Sequence, residues 1–496
     1  MEEKREQWNS KIGFLLAAIG SAVGLGNIWR FPYVLYSSGG GAFFIPYFCA
    51  IFTAGIPLLI LEYGIGHKLR GSTPRCMSKM NRKFEWIGWW PIISSSIILC
   101  YYSMILSWTI KYSLLSFKKS WGSDANRFFY EDLLQLSPSP TSFHKLIAPI
   151  AIGIGVIWLI NWFVCYKGVK KGVEKTSKIL LPVLFIIMLF IVIRSVTMQG
   201  AAQGLNVLFE PDWASLKNPK IWISAYGQVF FSLSIATGIM MTYSSYLPEK
   251  TDINNSAFMT AFANCGFEFL SAIGVFAILG VMATMQNVPV NEVVSSGIGL
   301  AFIAFPNIFT QMGVWGNILG VLFYICLAFA GVTSSVSLTE AISAAIGEKF
   351  NIKRKKIVTV LSLVGCTISM VFATDAGLYL LDIMDNYINN YGIVSVGMLE
   401  AIVIGWYYKP ETIRNHVNEI SYFKIGKWWD IIIKYVTPFM LIITILQSII
   451  GEFKKPYGDY ERFPLFLYGW MVILVGIVGG MIISKREWKT NKKVIR

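Results

Sequence analysis

Twelve long apolar segments dominate this sequence and leave few folds open to it. They lie near residues 11–36, 41–66, 87–116, 146–166, 177–198, 220–247, 256–284, 314–347, 356–373, 376–408, 428–450 and 463–484. A helix needs about 20 apolar residues to cross a bilayer, and most of these segments reach that length. With 55% hydrophobic and 14% charged residues among 496, the chain lies far from the balance of a soluble protein. The sequence therefore predicts an all-α polytopic membrane protein with twelve transmembrane helices.

The basic residues lie between these segments and predict how the chain is oriented. The net charge is +15, and lysines and arginines cluster at 68–83, 167–178, 353–356 and 485–496. Because positive loops stay cytoplasmic, we expect both termini inside, with tails at 1–10 and 485–496. The positive charge is explained by basic residues on the cytoplasmic side of the lipid bilayer, so no nucleic-acid partner is expected.

Several classes of protein are disfavoured by what the sequence lacks. The seven cysteines fall mostly within apolar segments without paired spacing, and the three histidines are far apart. No phosphate-binding loop, dinucleotide fingerprint or serine elbow is present, so we expect neither an ATP-driven pump nor an enzyme. The long loop 118–145 contains no cysteine and no glycosylation sequon. We therefore expect a multi-pass protein of a cell membrane, in particular a prokaryotic cytoplasmic membrane.

The first segment is interrupted where a membrane helix should be most apolar. Gly20–Pro32 contains three glycines, an asparagine and an arginine. Gly24 and Gly26 lie roughly 200° apart on a helix, so a single glycine packing face does not explain them. Unwound backbone is tolerated in a membrane only where it faces protein or a polar cavity.

The sixth segment has a similar interruption at 227–238, with an amide, hydroxyls and glycines. Interruptions at corresponding positions of two halves are typical of inverted-repeat transporters. The pattern predicts a five-plus-five inverted repeat with discontinuous helices one and six. The repeats would cover 11–199 and 220–408, followed by two accessory helices within 424–484.

These motifs resemble the signature of the neurotransmitter:sodium symporter family. Gly20–Pro32 is followed by the run 39–43 (GGGAF), and 230–234 and 330–335 resemble later motifs of the same family. The resemblance extends over essentially the whole chain and is closest to the bacterial amino acid transporters of the family. It implies sodium-coupled symport by alternating access.

The resemblance also implies two sodium sites built from neutral oxygens, the ligands that hard cations prefer. Site 1 would use Ala22, Asn27, Ser232 and Asn264, together with the carboxylate of the substrate. Site 2 would use carbonyls of Gly20, Val23 and Ala330 with the hydroxyls of Thr333 and Ser334. For a single hydroxyl, a bond to its own helix backbone is the alternative reading.

Gly24 is the clearest indication of the substrate. Relatives that carry monoamines have an aspartate here, whereas a glycine leaves room for the carboxylate of an amino acid. By resemblance, the substrate would contact Ala22, Gly24, Leu25, Gly26, Ile98, Tyr102, Phe231, Ser232, Ser234, Thr237, Ser334 and Leu338. Thr237 replaces a large apolar residue found in several relatives, so we expect room for a hydrophobic or aromatic side chain.

Glu268 is an ionisable residue inside the seventh segment, where carboxylates usually have a function. The resemblance places it, with Tyr47 and Gln228, where animal relatives hold chloride. A built-in carboxylate replaces that anion, so we expect chloride-independent transport. A second role, as a proton acceptor on the empty return step, stays open.

The resemblance further implies two gates and a point of helix unwinding. The outer gate would be Arg30 with Asp385, above Tyr102 and Phe231, and a swap of Asp385 for Asp382 stays open. The inner gate would be Arg5, Trp8, Tyr246 and Glu348. Gly172 and Pro182 match a feature that lets the inner end of helix five unwind, although an ordinary kinked helix start explains them equally well.

Together these expectations define a sodium-coupled importer of a neutral amino acid, acting as a monomer or homodimer. Two alternatives stay open: a symporter for another small carboxylated solute, and an amino acid sensor on the same fold that does not transport.

Overall fold

A computed structural model describes residues 6–295 and 297–489 of the chain, and it is helical almost throughout. We number the membrane segments in chain order as spans one to twelve. Their bounds are Lys11–Ala22 with Leu25–Ser37, Gly41–Leu69, Arg82–Ser116, Ala148–Tyr166, Val169–Val196, Pro219–Ser232 with Ile239–Ser244, Ile253–Gln286, Gly313–Phe350, Arg354–Ala373, Gly377–Tyr408, Lys427–Asp459 and Arg462–Lys485. Shorter helices, including Thr73–Met80, Ala201–Phe209, Gly297–Gln311 and Pro410–Ile420, connect them.

The expected class of fold, an all-α polytopic membrane protein, is confirmed. Within the described residues, ten helices are long and apolar enough to cross a membrane, and the bent pair of span one makes eleven. Span six is divided into helices of 14 and 6 residues, too short to count by that measure. The number of twelve therefore stays a prediction, as do the repeat boundaries.

Both interruptions predicted from sequence are present as breaks in the helix. Span one bends by 56° between its first half, which ends at Ala22, and its second half, which begins at Leu25. In span six the residues 233–238 are not helical, and Ser234, Ala236 and Gly238 have positive φ values of 53°, 58° and 82°. A positive φ is costly for residues other than glycine, so the surrounding contacts must hold this segment in place.

The two breaks lie against each other. The Ser234 hydroxyl donates to the Ser21 carbonyl at 3.0 Å. A Cβ atom on Gly26 would lie 2.6 Å from the Phe231 ring, so only a glycine permits this approach. The unwound backbone of each span thus faces the other span and not lipid.

Spans three and eight pack beside the breaks, and the remaining spans surround them. Gly331 of span eight allows the close approach of Leu106 of span three, since a Cβ there would lie 2.1 Å from that side chain. Large exposed apolar side chains cover the outside of the peripheral spans, for example Leu159, Ile186 and Leu363. Such an apolar exterior is what contact with lipid tails requires.

We name the two ends of the molecule by what lies there. The connections 117–147 and 287–312 meet at one end, where Trp121 Nε1 donates to the Pro306 carbonyl at 3.1 Å; this is the loop side. The first and last described residues meet the protein at the other end, the terminus side.

Candidate functional site

One cavity of about 790 Å³ lies between the two helix breaks and spans three, eight and ten. It reaches toward the loop side, where Tyr130, Gly297 and Tyr457 form part of its wall. All twelve residues expected to contact a substrate line it: Ala22, Gly24, Leu25, Gly26, Ile98, Tyr102, Phe231, Ser232, Ser234, Thr237, Ser334 and Leu338. Residues from four separate spans are therefore brought to one place.

The space beside Gly24 is surrounded by neutral hydrogen-bonding groups. A Cβ atom at Gly24 would lie 3.4 Å from the Ser334 hydroxyl and 3.8 Å from the Tyr102 hydroxyl. The Tyr102 hydroxyl is also within hydrogen-bonding reach of the backbone amide of Leu25. This part of the cavity can therefore accept an anionic group through amide and hydroxyl donors.

The residues expected at sodium site 1 form one hydrogen-bonded cluster. Asn27 Nδ2 donates to Asn264 Oδ1 at 2.8 Å, and Asn264 Nδ2 donates to the Ser232 hydroxyl at 3.1 Å. Asn27 Oδ1 accepts from the amide of Gly24 at 2.9 Å. Ala22 lines the same cavity. The cluster offers amide, hydroxyl and carbonyl oxygens, which fit the preference of a hard monovalent cation.

The residues expected at sodium site 2 also lie together, between spans one and eight. A Cβ on Gly20 would contact the Thr333 side chain at 3.4 Å. The hydroxyls of Thr333 and Ser334 donate to the Ala330 carbonyl at 2.9 and 3.1 Å, which leaves their lone pairs for a cation. Val23 is fully buried. Within the described residues no histidine, cysteine or carboxylate cluster forms a transition-metal site.

Glu268 lies fully buried next to the first cluster, held by both residues expected to accompany it. The Tyr47 hydroxyl donates to Glu268 Oε2, and Gln228 Nε2 donates to Oε1 at 2.6 Å. Two donors therefore stabilise a carboxylate at this position.

Toward the loop side, the two residues of the expected outer gate are separate. Arg30 lies over the Phe231 ring at 4.6 Å from its centroid, and no ion pair joins it to Asp385 among the described residues. Asp385 instead accepts from the Tyr101 hydroxyl at 2.8 Å and from Asn389 at 2.9 Å.

Asp382, the alternative partner, is engaged elsewhere. It accepts from the hydroxyls of Tyr457 and Tyr460 at 2.9 Å each. Sequence reasoning missed these tyrosines, Tyr101 and Asn389, because none of them belongs to a motif.

On the terminus side, a dense network of hydrogen bonds and ion pairs lies around Trp8 and Glu340. Trp8 is buried and donates to the Tyr243 carbonyl at 2.8 Å. The Tyr246 hydroxyl donates to Glu340 Oε1 at 2.9 Å, and Glu340 forms a two-pronged ion pair with Arg354. Arg354 also reaches Glu6 at 3.3 Å.

Two of the expected inner-gate residues need separate comment. Glu348 accepts from the amide and hydroxyl of Ser72 at 3.0 and 2.8 Å, and Arg5 lies outside the described residues. The Glu340–Arg354 pair was missed by the sequence reading. The rule that singled out Glu268, a carboxylate within an apolar segment, would have found Glu340 too.

A second buried ion pair lies near the end of the described chain. Lys349 Nζ and Glu85 Oε1 are 2.5 Å apart, and both side chains are fully buried. Trp488 Nε1 donates to Glu85 Oε2 at 2.9 Å, while its ring lies 4.7 Å from the Lys349 ammonium. The C-terminal segment thus covers a pair that joins spans three and eight.

Gly172 and Pro182 lie in a continuous helix in this structure. Val169–Glu174 is a π-helical turn that leads directly into Lys175–Val196. A Cβ on Gly172 would lie 1.9 Å from the Val164 carbonyl, so close packing on span four requires this glycine. Unwinding at this point stays a prediction.

Broken helices with a cavity between them are the arrangement typical of polytopic membrane transporters. Comparison with known proteins gives the particular family. The chain belongs to the sodium:neurotransmitter symporter family, whose model matches residues 5–123 and 119–488.

Individual relatives agree with this assignment. The chain is 37% identical over 484 residues to an uncharacterized sodium-dependent transporter of Methanocaldococcus jannaschii, covering 98% of both chains. It is 29% identical to the sodium- and chloride-dependent taurine transporter of Rattus norvegicus, covering 96% of this chain and 83% of that one. The sodium- and chloride-dependent GABA transporter 2 of the same species is also 29% identical, at 96% and 85% coverage. The protein is thus a sodium-dependent membrane transporter and not an enzyme.

Proposed function

We propose that this protein imports a neutral amino acid, with a hydrophobic or aromatic side chain, together with sodium and without chloride. The observation that carries the proposal is the space at Gly24. The described atoms nearest to a Cβ at this position are the hydroxyls of Ser334 and Tyr102 and the Ala22 carbonyl, none of them acidic. A substrate carboxylate fits there, whereas the ammonium group of a monoamine would find no counter-charge beside Gly24.

The two ends of a zwitterion find different partners in the cavity. The carboxylate meets donors from Leu25 and Tyr102, and hydrogen bonds to an ionised group are the stronger kind. Carbonyls near Phe231 and Ser232, where span six unwinds, are available to the ammonium group. The same carboxylate would complete the oxygen shell of a sodium ion beside Asn27.

The remaining wall suits an apolar side chain. Ile98, Phe231 and Leu338 line the cavity on this side. The Thr237 hydroxyl donates to the Ser234 carbonyl at 2.7 Å, so its donor is used within the protein. A hydrophobic or aromatic side chain therefore meets mainly apolar surface.

Sodium drives uptake because each positive charge that enters gains about 2.3 kcal/mol per 100 mV of membrane potential. Two ions would support a steep gradient of substrate. In this orientation the loop side faces outward and the terminus side faces the cytoplasm. The separation of Arg30 from Asp385 and the closure at Trp8 correspond to a state open to the outside.

The test is uptake of labelled leucine and tryptophan by proteoliposomes with Gly24→Asp and Gly24→Ala. The aspartate puts a carboxylate at the position of the substrate carboxylate, so we expect uptake to fall at least about 100-fold, the size of an unpaired buried charge. The alanine Cβ has room at 3.4 Å and is expected to retain most of the activity. Equal uptake by both variants would contradict the proposal.

The alternatives are separated in the same preparation. Sodium-dependent binding without accumulation would identify a sensor, and uptake of small carboxylated solutes that lack an ammonium group would identify a different carrier. The outcome of this test does not depend on whether the protein is a monomer or a homodimer.

Chloride independence rests on Glu268, whose carboxylate is held by Tyr47 and Gln228. The two rat relatives carry chloride dependence in their names, so the difference is testable. Replacing external chloride by gluconate is expected to leave uptake unchanged. In Glu268→Ser, which removes the charge and leaves room for an ion, uptake is expected to require chloride. A strong chloride effect on the unmodified protein would disprove this assignment.

A further inference from the structure

Two buried carboxylates lie on spans that pack against the break in span six, outside the sites described above. Glu62 lies in span two and Glu400 in span ten, and their exposed fractions are 0% and 1%. Neither residue lines the cavity or belongs to an expected ion site. Sequence reasoning gave them no role.

Their hydrogen bonding is incomplete and unequal. Glu62 Oε1 accepts from the amide of Ala236 at 2.7 Å. Glu62 Oε2 and both oxygens of Glu400 have no hydrogen-bond partner within the described part of the chain. An ionised carboxylate buried without donors is strongly disfavoured.

Among the described residues, the groups that act on these two carboxylates include no cation. Glu62 is the titratable group that acts on Glu400, and the neighbouring Tyr63 is bonded through its hydroxyl to Thr260 at 3.1 Å. Within the described residues no lysine or arginine forms an ion pair with either carboxylate. Two negative charges in this place would repel each other in a region of low dielectric constant.

We propose that Glu62 and Glu400 form a proton-binding site that holds one proton, carried by Glu400 and donated to Glu62. The assignment follows from the difference in donors. The amide of Ala236 favours the ionised form of Glu62, whereas Glu400 accepts nothing and is better accommodated as the neutral acid. One proton removes the charge on Glu400 and provides the donor that Glu62 Oε2 lacks.

The position of the site gives this proton a structural effect. Ala236, which Glu62 holds, has a φ of 58° in the non-helical segment 233–238. Span ten packs on the same segment, since a Cβ on Gly397 would lie 3.4 Å from Ala236 Cβ. Ser234 and Thr237 of that segment line the cavity. The proton therefore stabilises the unwound form of span six through a contact outside the cavity lining.

The proton is detected directly by infrared difference spectroscopy on the purified full-length protein at neutral pH, without amino acid. Spectra of wild type minus Glu400→Gln are expected to show the carbonyl stretch of one neutral carboxylic acid. Wild type minus Glu268→Gln is not expected to remove that same band. The readout needs no transport, so a failure here is distinct from a failure of the proposed function.

A stability comparison adds a second readout. Glu400→Gln keeps a donor toward Glu62 and is expected to unfold at nearly the wild-type temperature, whereas Glu400→Met, of similar size, loses the donor and unfolds at a lower temperature. If the methionine variant does not fold, the infrared comparison decides. The proposal is overturned if Glu400→Gln removes no acid band, or if sodium abolishes the band in the wild type and so identifies a cation site.

Discussion

The two ends of the cavity are closed to different degrees by the same kinds of residue. On the terminus side, the buried Glu340 bonds to Tyr246 and to the partly exposed Arg354, and Trp8 lies beside Tyr246. On the loop side, Arg30 contacts the Phe231 ring, and Asp385 bonds to neutral donors. Both ends contain an arginine and a carboxylate, but among the described residues only those on the terminus side form an ion pair.

This difference indicates which end of the cavity contains the charge interactions that stabilise the conformation in this structure. A charge pair that is shielded from water is strong when its geometry is good, and breaking it leaves an uncompensated charge. A pair that is still hydrated contributes little. In this structure the terminus side therefore carries the stronger charge contacts of the two ends.

The largest expected effect is on the closed end. Glu340→Gln leaves Arg354 without its main counter-charge, so we expect a loss of about 3–5 kcal/mol in stability. We also expect Cys165, which is buried near this pair, to become reactive toward a maleimide in a variant that lacks the other six cysteines. The matched control is Glu131→Gln, which breaks the exposed Arg127–Glu131 pair. Equal melting temperatures for the two variants would contradict the comparison.

A smaller effect is expected where the C-terminal segment meets the closed end. Trp488→Phe keeps a ring over Lys349 but removes the donor to Glu85, so a loss of about 1–3 kcal/mol is expected. Thermal unfolding of the full chain measures it. If the loss is no greater than for a surface substitution such as Trp428→Phe, the segment does not stabilise the pair.

The loop side should tolerate a substitution of its carboxylate that the terminus side does not. Asp385→Asn keeps an oxygen for Tyr101, so without ligand we expect a change within about 1 kcal/mol. With sodium and amino acid, the stabilisation by ligand is expected to shrink, because the variant lacks the charge that would pair with Arg30. Unfolding with and without ligand tests both statements. A large loss without ligand would show that the charge already acts in this state.

The smallest effect concerns pH on the terminus side. His416, in the helix Pro410–Ile420, contacts His67 at 2.9 Å. Burial, followed by the charge of Lys68, holds the pKa of His416 below its ordinary value. The folded protein therefore binds this proton less readily than the unfolded chain does.

Stability from this site is present above the unfolded-chain pKa of about 6.5 and is lost as the pH falls below it. The expected sign is a lower melting temperature at mildly acidic pH, with a shallower dependence in His416→Asn. Parallel curves for the two proteins would disprove the role of His416.

The sequence was informative wherever polar residues interrupt an apolar segment. The interruptions at Gly20–Pro32 and 227–238 predicted the two helix breaks, because unwound backbone in a membrane needs a polar surface to face. The individual cavity residues came from the family resemblance. Glu268 was found for the related reason that a buried carboxylate needs a partner. The same reasoning was not applied to Glu62, Glu340 and Glu400, although they meet the criterion.

Contacts between distant segments could not be obtained in this way. Tyr101 reaches Asp385 across 284 positions, and Trp488 reaches Glu85 across 403. A tyrosine or tryptophan in an apolar segment is ordinary, and its partner is decided by how the spans pack. The state of each gate depends on tertiary geometry that no motif records.

The contact between Gly26 and Phe231 has a consequence for how such sequences diverge. A side chain at residue 26 would occupy space that the Phe231 ring fills, at 2.6 Å. Substitution at residue 26 therefore depends on residue 231: a larger side chain at residue 26 is tolerated only where residue 231 is already smaller than phenylalanine. In an alignment of related sequences, positions 26 and 231 should vary together. A reconstructed ancestral protein with larger side chains at both positions should not be functional.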